Sequence, residues 1–140
     1  MLADDDEDDR DFFREALDEL KMNTVSTFLN DGVQLMDYLR KPGVRLPHII
    51  FLDLNMPLKG GLQCLREIRE DEKLKGLSVA IYSTSASDDH IEETFVQGAN
   101  VYIRKPSDFA TLKKVLHEVI SVNWQYHTSA LNKENFLFSI

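Results

Sequence analysis

The sequence has one cysteine, Cys64, in 140 residues. A lone thiol forms no internal disulfide and fits a reducing cytoplasm, the expected location. No apolar run exceeds four residues, as in Ile49-Ile50-Phe51-Leu52. A bilayer span needs about 20, so no membrane segment is expected. A basic start, an apolar stretch and a small-residue cleavage site do not occur in that order, so no secretory leader is expected. Basic residues are in the minority: 16 Lys+Arg against 24 Asp+Glu give a formal charge of −8. An acidic domain gains no counterion-release affinity for DNA, which argues against direct DNA binding. Internal repeats and low-complexity linkers are also missing.

What is present suits one folded domain. Hydrophobic residues make up 43%, enough for a core. Leu2-Ala3 is a short apolar start. Phe13, Ala16, Leu17 and Leu20 then recur with helical spacing. Val25 to Leu29 reads as a strand stopped by Asn30-Asp31-Gly32. Leu35, Met36 and Leu39 mark a second helix, ended by Lys41-Pro42-Gly43. Ile49 to Leu52 reads as a strand buried on both faces. Leu62, Leu65 and Ile68 stripe a third helix, and Val79 to Tyr82 is the next strand. Ile91 and Phe95 stripe a fourth helix, and Gly98 suits its left-handed cap. Val101 to Ile103 is a fifth strand. Phe109, Leu112, Leu116, Val119 and Ile120 stripe the last helix.

Five strands alternating with five helices predict an α/β, doubly wound parallel sheet covered on both faces. Ligands in such sheets bind beyond the carboxyl ends of the strands. The residues there are Asp4-Asp5-Asp6, Asn30-Asp31, Asp53, Ser83-Thr84 and Lys105-Pro106. Asp4 and Asp5 leave the first strand and Asp53 the third, neighbours in the expected fold. Three close carboxylates raise one another's pKa unless a cation intervenes, and an all-oxygen set with room for water suits Mg²⁺. Taken alone, Asp4 to Asp9 also reads as a solvated acidic turn at a helix N-terminus. Asp4, Asp6, Asp8 and Glu15 match positions 1, 3, 5 and 12 of a calcium hand, but its turn glycine is replaced by Asp9. A lysine after a strand is by itself a surface cation, and a hydroxyl there is a cap. Alternation along the strand lets one of Ser83 and Thr84 face the site. As a set, these residues describe a pocket for Mg²⁺ and a phosphoryl group.

With that set in place, the chain resembles a receiver domain of a two-component response regulator, of the chemotaxis single-domain type. The matching strings are Leu2-Ala3-Asp4-Asp5-Asp6, Ile50-Phe51-Leu52-Asp53-Leu54-Asn55-Met56-Pro57, Gly60-Gly61, Ser83-Thr84, Gly98-Ala99 and Tyr102-Ile103-Arg104-Lys105-Pro106. The resemblance covers Met1 to about Ser121 and implies a flavodoxin-like fold with strand order 2-1-3-4-5. It implies that Asp53 is the phosphoacceptor and that Asp5 ligates Mg²⁺ directly, with Asp4 helping through water. Asn55 gives the metal its backbone carbonyl. Ser83 is the switch hydroxyl, Tyr102 the aromatic that moves with it, and Lys105 the partner of the phosphoryl oxygens. The Lys105-Pro106 bond is expected to be cis. The long basic stretch from Leu39 to Pro47 and an aromatic tail are similar to single-domain receivers that pair with phytochrome-type kinases. One departure is that only Met1-Leu2-Ala3 precedes the acid pair, so either residues are missing ahead of Met1 or the first strand is unusually short.

The expected division is a receiver domain over 1–121 and an apolar, aromatic extension over 122–140. The expected function is a phosphorylation-dependent signalling switch, not an enzyme, fed by a sensor histidine kinase. Two other readings are a Mg²⁺-dependent aspartyl-phosphate hydrolase and a phosphorylation-independent interaction module. The hydrolase wants a carboxylate two residues after the nucleophile, where Asn55 stands. The module usually loses the acids or the lysine, which are present. The extension carries Trp124, Tyr126, Phe136, Leu137, Phe138 and Ile140. Exposing several such groups is costly, so the expected docks are their own domain or an interface, across a two-fold axis onto a second copy or onto the kinase. The expectation is a homodimer through helix 4, strand 5, helix 5 and the tail, tightened by phosphorylation.

Overall fold

The computed structural model describes residues 1–85, 87–122 and 136–137. The elements alternate as β1 (Leu2–Ala3), α1 (Glu7–Leu20), β2 (Phe28–Leu29), α2 (Gly32–Leu39) and β3 (Ile49–Leu52). They continue as α3 (Gly61–Glu70), β4 (Ser78–Ser83), α4 (Asp88–Val96), β5 (Val101–Arg104) and α5 (Phe109–Ser121). All strand pairs are parallel, in the order β2-β1-β3-β4-β5. Among the described residues, no helix is long and apolar enough to cross a membrane.

The period of two along each strand splits the core into two layers. Leu2, Phe51, Ala80, Tyr82, Val101 and Ile103 face one way, against Phe13 and Leu17 of α1 and Leu112, Leu116 and Val119 of α5. Their alternates Ala3, Ile50, Leu52, Val79, Ile81 and Tyr102 face the other way, against α2 and α3. Helix starts are set locally. Asp6, Asp31, Ser87 and Asp108 each accept a backbone N–H three residues on, satisfying a donor the helix leaves open. Gly98, just past α4, has φ +94°, the left-handed cap expected of it.

Two elements differ from expectation. The second strand is confined to Phe28–Leu29, and Val25 is 92% exposed. It is an edge strand whose neighbour β1 has two residues, so the ladder ends after Leu2↔Phe28 and Ala3↔Leu29. Helix α4 buries Thr94 completely, while Ile91 and Phe95 are only half-buried. Phe95 instead meets Phe136 edge to face, with ring centroids 5.3 Å apart.

Arg69, which no sequence pattern marks, ties α3 to the loops that precede β4 and β5. Its Nε donates to Gly98 O at 2.9 Å. Nη1 donates to Lys75 O at 2.9 Å and Leu77 O at 2.6 Å, and Nη2 to Asn100 Oδ1 at 3.0 Å. The same Asn100 oxygen accepts the N–H of Val79 at 2.8 Å. Arg69→Ala strands several carbonyls at once and is expected to cost about 2–3 kcal/mol, read from urea unfolding. Arg69→Lys should not restore it, because one ammonium cannot reproduce the fork. Stability within 0.5 kcal/mol or so of wild type, the range of a neutral surface change, would refute the assignment.

Candidate functional site

The site lies at the carboxyl edge of β1, β3, β4 and β5. Each parallel strand delivers its next residue to the same edge. Asp4 follows β1 and is fully buried; Asp53 follows β3 and is buried; Asp5 is exposed. One carboxylate oxygen from each lies within 4.8 Å of the others, as the adjacency of the strands implied. Asp4 Oδ1 accepts Asp6 N at 3.0 Å, and Asp53 Oδ1 accepts Asn55 N at 3.2 Å. Gly61 begins α3 against the Asp53 carbonyl, where a side chain would collide.

Lys105, after β5, supplies the counter-charge. Its Nζ stands 2.8 Å from Asp4 Oδ2, 2.8 Å from Asp9 Oδ2 and 3.2 Å from Asp53 Oδ2. The Asp4 contact is an ion pair off the line of a hydrogen bond, so Asp4 Oδ2 is a buried oxygen with no hydrogen-bond partner among the described residues. A buried, underused carboxylate oxygen beside two more carboxylates fits a hard divalent cation, and this chain has the donor set for one. Burial pushes the Asp53 carboxyl up to about 6; Lys105 pulls against it, and Asp4 adds to the rise. It therefore remains ionised at neutral pH. Burial lowers the Lys105 ammonium, but its close contacts with Asp4 and Asp9 and the charge of Asp53 outweigh that and hold it above its ordinary value.

The Lys105–Pro106 bond expected to be cis is trans, since there are no cis peptides among the described residues. Trans is the lower-energy isomer of an X–Pro bond by about 0.5–1 kcal/mol, and here it already brings the ammonium onto the carboxylates.

Of the two hydroxyls after β4, Ser83 is buried and Thr84 exposed, as alternation predicted. Ser83 Oγ accepts Ser85 N at 3.2 Å. Tyr102 is fully buried, and its hydroxyl donates to Ser85 O at 2.8 Å. Asn55 is exposed at the rim. Sequence reasoning missed Asp9 and Arg10 as parts of this site. Asp9 meets a lysine 96 positions away, a contact that local spacing does not encode. Arg10 Nη1 donates to Asp4 O at 2.8 Å and so steadies the acid turn. A cavity of about 320 Å³ opens elsewhere, at the amino ends of the strands between Met1, Phe28 and Ile49.

Fold and site together define a doubly wound α/β domain with an acidic pocket, countered by one lysine, at its topological switch point. Residues 1–117 match the response regulator receiver domain family, and the chain belongs to that family. It is 28% identical over 125 residues to response regulator Rcp1 of Synechocystis, spanning 86% of this chain and 85% of the relative. It is 32% identical over 119 residues to chemotaxis protein CheY-3 of Vibrio cholerae, spanning 85% and 88%. The crystal structure of the Mn²⁺-bound form of Rcp1 is similar at a TM-score of 0.77 and 28% identity, over 86% of this chain and 89% of that one. The phosphorylated cyanobacterial phytochrome response regulator RcpA is similar at a TM-score of 0.78 and 31% identity, over 84% and 87%. These likenesses bear out the resemblance read from the sequence, the phytochrome-associated subgroup included.

Proposed function

We propose that this receiver is a phosphorylation-dependent switch whose phosphoacceptor is Asp53. The observation that carries the reading is the meeting of Lys105 with Asp4 and Asp53 from three different strands. Asp4, Asp5, Asp53 and the Asn55 carbonyl would hold Mg²⁺, which supplies positive charge for phosphoryl oxygens when bound. An Asp53 oxygen attacks the phosphorus of a phosphohistidine on a sensor kinase. The new O–P bond forms as the P–N bond breaks. The carboxylate needs no base, because it is already ionised. Lys105 then gives a donor to the phosphoryl group. Ser83 Oγ turning to the same group releases Ser85 N, which loosens the residue whose carbonyl holds the Tyr102 hydroxyl. That links the pocket to the surface of α4, β5 and α5.

On this reading the kinase is of the phytochrome type, by likeness to Rcp1 and RcpA. The switch works in the cytoplasm, without touching DNA, and a second copy docks on α4, β5 and α5 when Asp53 is phosphorylated. The test is to incubate the chain with acetyl phosphate and Mg²⁺ and weigh it. A gain of about 80 Da, one phosphoryl group, is expected. Repeated turnover of small phosphate esters by the wild type, lost in Asp53→Asn, would favour a hydrolase, and an inert wild type an interaction module.

Mg²⁺ should also stabilise the wild type, by about 2.7 kcal/mol at a hundred times Kd. It should do much less for Asp5→Ala, which removes an exposed carboxylate at little cost to the fold. Equal thermal shifts in both proteins would place the ion elsewhere.

A further inference from the structure

Lys105 has three N–H donors, two of them bonded to Asp9 and Asp53, and it pairs with Asp4 by charge alone. A phosphoryl oxygen that binds the ammonium competes with these carboxylates for its charge. Asp4 is fully buried and takes no donor from the ammonium, so it has none to give up. Asp53 carries the incoming group itself. Asp9 is different. Its side chain is 38% exposed, so water can take over from the ammonium at small cost. It is also held in place. Its backbone N–H is bonded to Asp6 Oδ1, the N-cap of α1, which fixes the main chain that carries the carboxylate.

We propose that Asp9 is a positioning residue that competes with the phosphoryl group for Lys105, and so acts as a brake on the phosphorylated state. In the unphosphorylated chain Asp9 holds the ammonium at 2.8 Å, as close as buried Asp4 does, while the Asp53 contact is the longest of the three at 3.2 Å. When the phosphoryl group arrives, Lys105 leaves Asp9, and Asp9 is left as a like charge beside the new anion. Both effects favour the unphosphorylated state. This rests on the switch reading above, with Asp53 as acceptor and Lys105 as the reader of its product.

The probe is beryllofluoride, an aspartyl-phosphate mimic, titrated calorimetrically into the full chain at saturating Mg²⁺. Asp9→Ala should lower the concentration needed for half-saturation by about three- to fivefold, the span of a half-exposed ion pair. Asp9→Asn, which keeps shape and acceptor but loses the charge, should shift it in the same direction, and it serves if the alanine variant folds poorly. Asp8→Asn is the charge control. It removes an exposed acid from the same turn, one with no bond to Lys105, and should leave the midpoint unchanged. In a Lys105→Ala background, adding Asp9→Ala should produce no further tightening. Several results would overturn the proposal: an unchanged or weakened midpoint in both Asp9 variants, an equal shift in Asp8→Asn, or a full shift persisting without Lys105. Each of these fells the brake while leaving the switch standing. A wild type that binds no beryllofluoride fells both.

Discussion

Asp53→Asn is expected to abolish the mass gain from acetyl phosphate and, in the absence of metal, to make the protein more stable at pH 7. An amide cannot serve as the attacking carboxylate, so the first effect is complete. The second effect comes from burial. Burial pushes the Asp53 carboxyl up to about 6 from an ordinary value of 3.8. The folded state then holds that proton more tightly than the unfolded state does. Its contribution to stability is fully present below about pH 4 and is lost as pH rises through about 6. At pH 7 the wild type carries that loss and the amide does not. A shift of about two units at about 1.4 kcal/mol each is about 3 kcal/mol, and solvent screening at the pocket cuts the expected gain to about 1–2 kcal/mol. Urea unfolding in a chelator at pH 4 and pH 7 checks it: the difference between mutant and wild type should grow with pH. A mutant that still takes a phosphoryl group, or one that gains nothing between the two pH values, would overturn the account of this carboxylate.

Phe136→Ala is expected to cost about 3–5 kcal/mol, a large share of a stability that is ordinarily about 5–15 kcal/mol. Phe136 is fully buried although it lies beyond the last helix. Its ring meets Phe95 of α4 and, at 6.1 Å between centroids, Tyr102 of β5. Leu137 bridges to Tyr102 as a short parallel addition to the open edge of the sheet. Alanine there removes a core side chain, leaves a cavity beside Tyr102 and weakens the only cover on that edge among the described residues. A chain cut after Ser121 should fall in stability in the same direction. A loss below about 1 kcal/mol, typical of a surface change, would show that Phe136 does not occupy this seat in solution. Of the two docks considered for the tail, Phe136 and Leu137 take the one on their own domain. Trp124, Tyr126, Phe138 and Ile140 lie outside the described residues. The division at residue 121 separates the last helix from the tail, but Phe136 belongs to the core of the preceding domain.

Much of the fold is legible from local chemistry. Ile49 to Leu52 is too short and too apolar to be anything but a buried strand, and the 3.6-residue stripes of α1, α3 and α5 mark their buried faces directly. Gly98 announces a left-handed cap because other residues resist that conformation. The site is legible for a related reason. In a parallel sheet every strand points its carboxyl end the same way, so Asp4, Asp53, Ser83 and Lys105 must share one edge once the strands are recognised.

Properties that depend on a neighbour distant in the chain are not legible. The length of β2 was decided by the two-residue β1 beside it, and Val25 went to solvent despite its branched side chain. Arg69 is one more basic residue of a polar helix face until the fold brings Gly98, Leu77 and Asn100 within reach of its guanidinium. Asp9 is one acid among six in Asp4 to Asp9 until β5 carries Lys105 to its side. The aromatic tail announces only that it must be buried; packing chose α4 and β5 as the place for Phe136. By itself the sequence determined the alternation of strands and helices, their buried faces, and which residues sit at the carboxyl edge, because these properties come from side-chain periodicity and backbone direction. Tertiary structure alone decided which charges pair, where the sheet's edges end and what covers them, because those depend on distances between segments that the chain order does not contain.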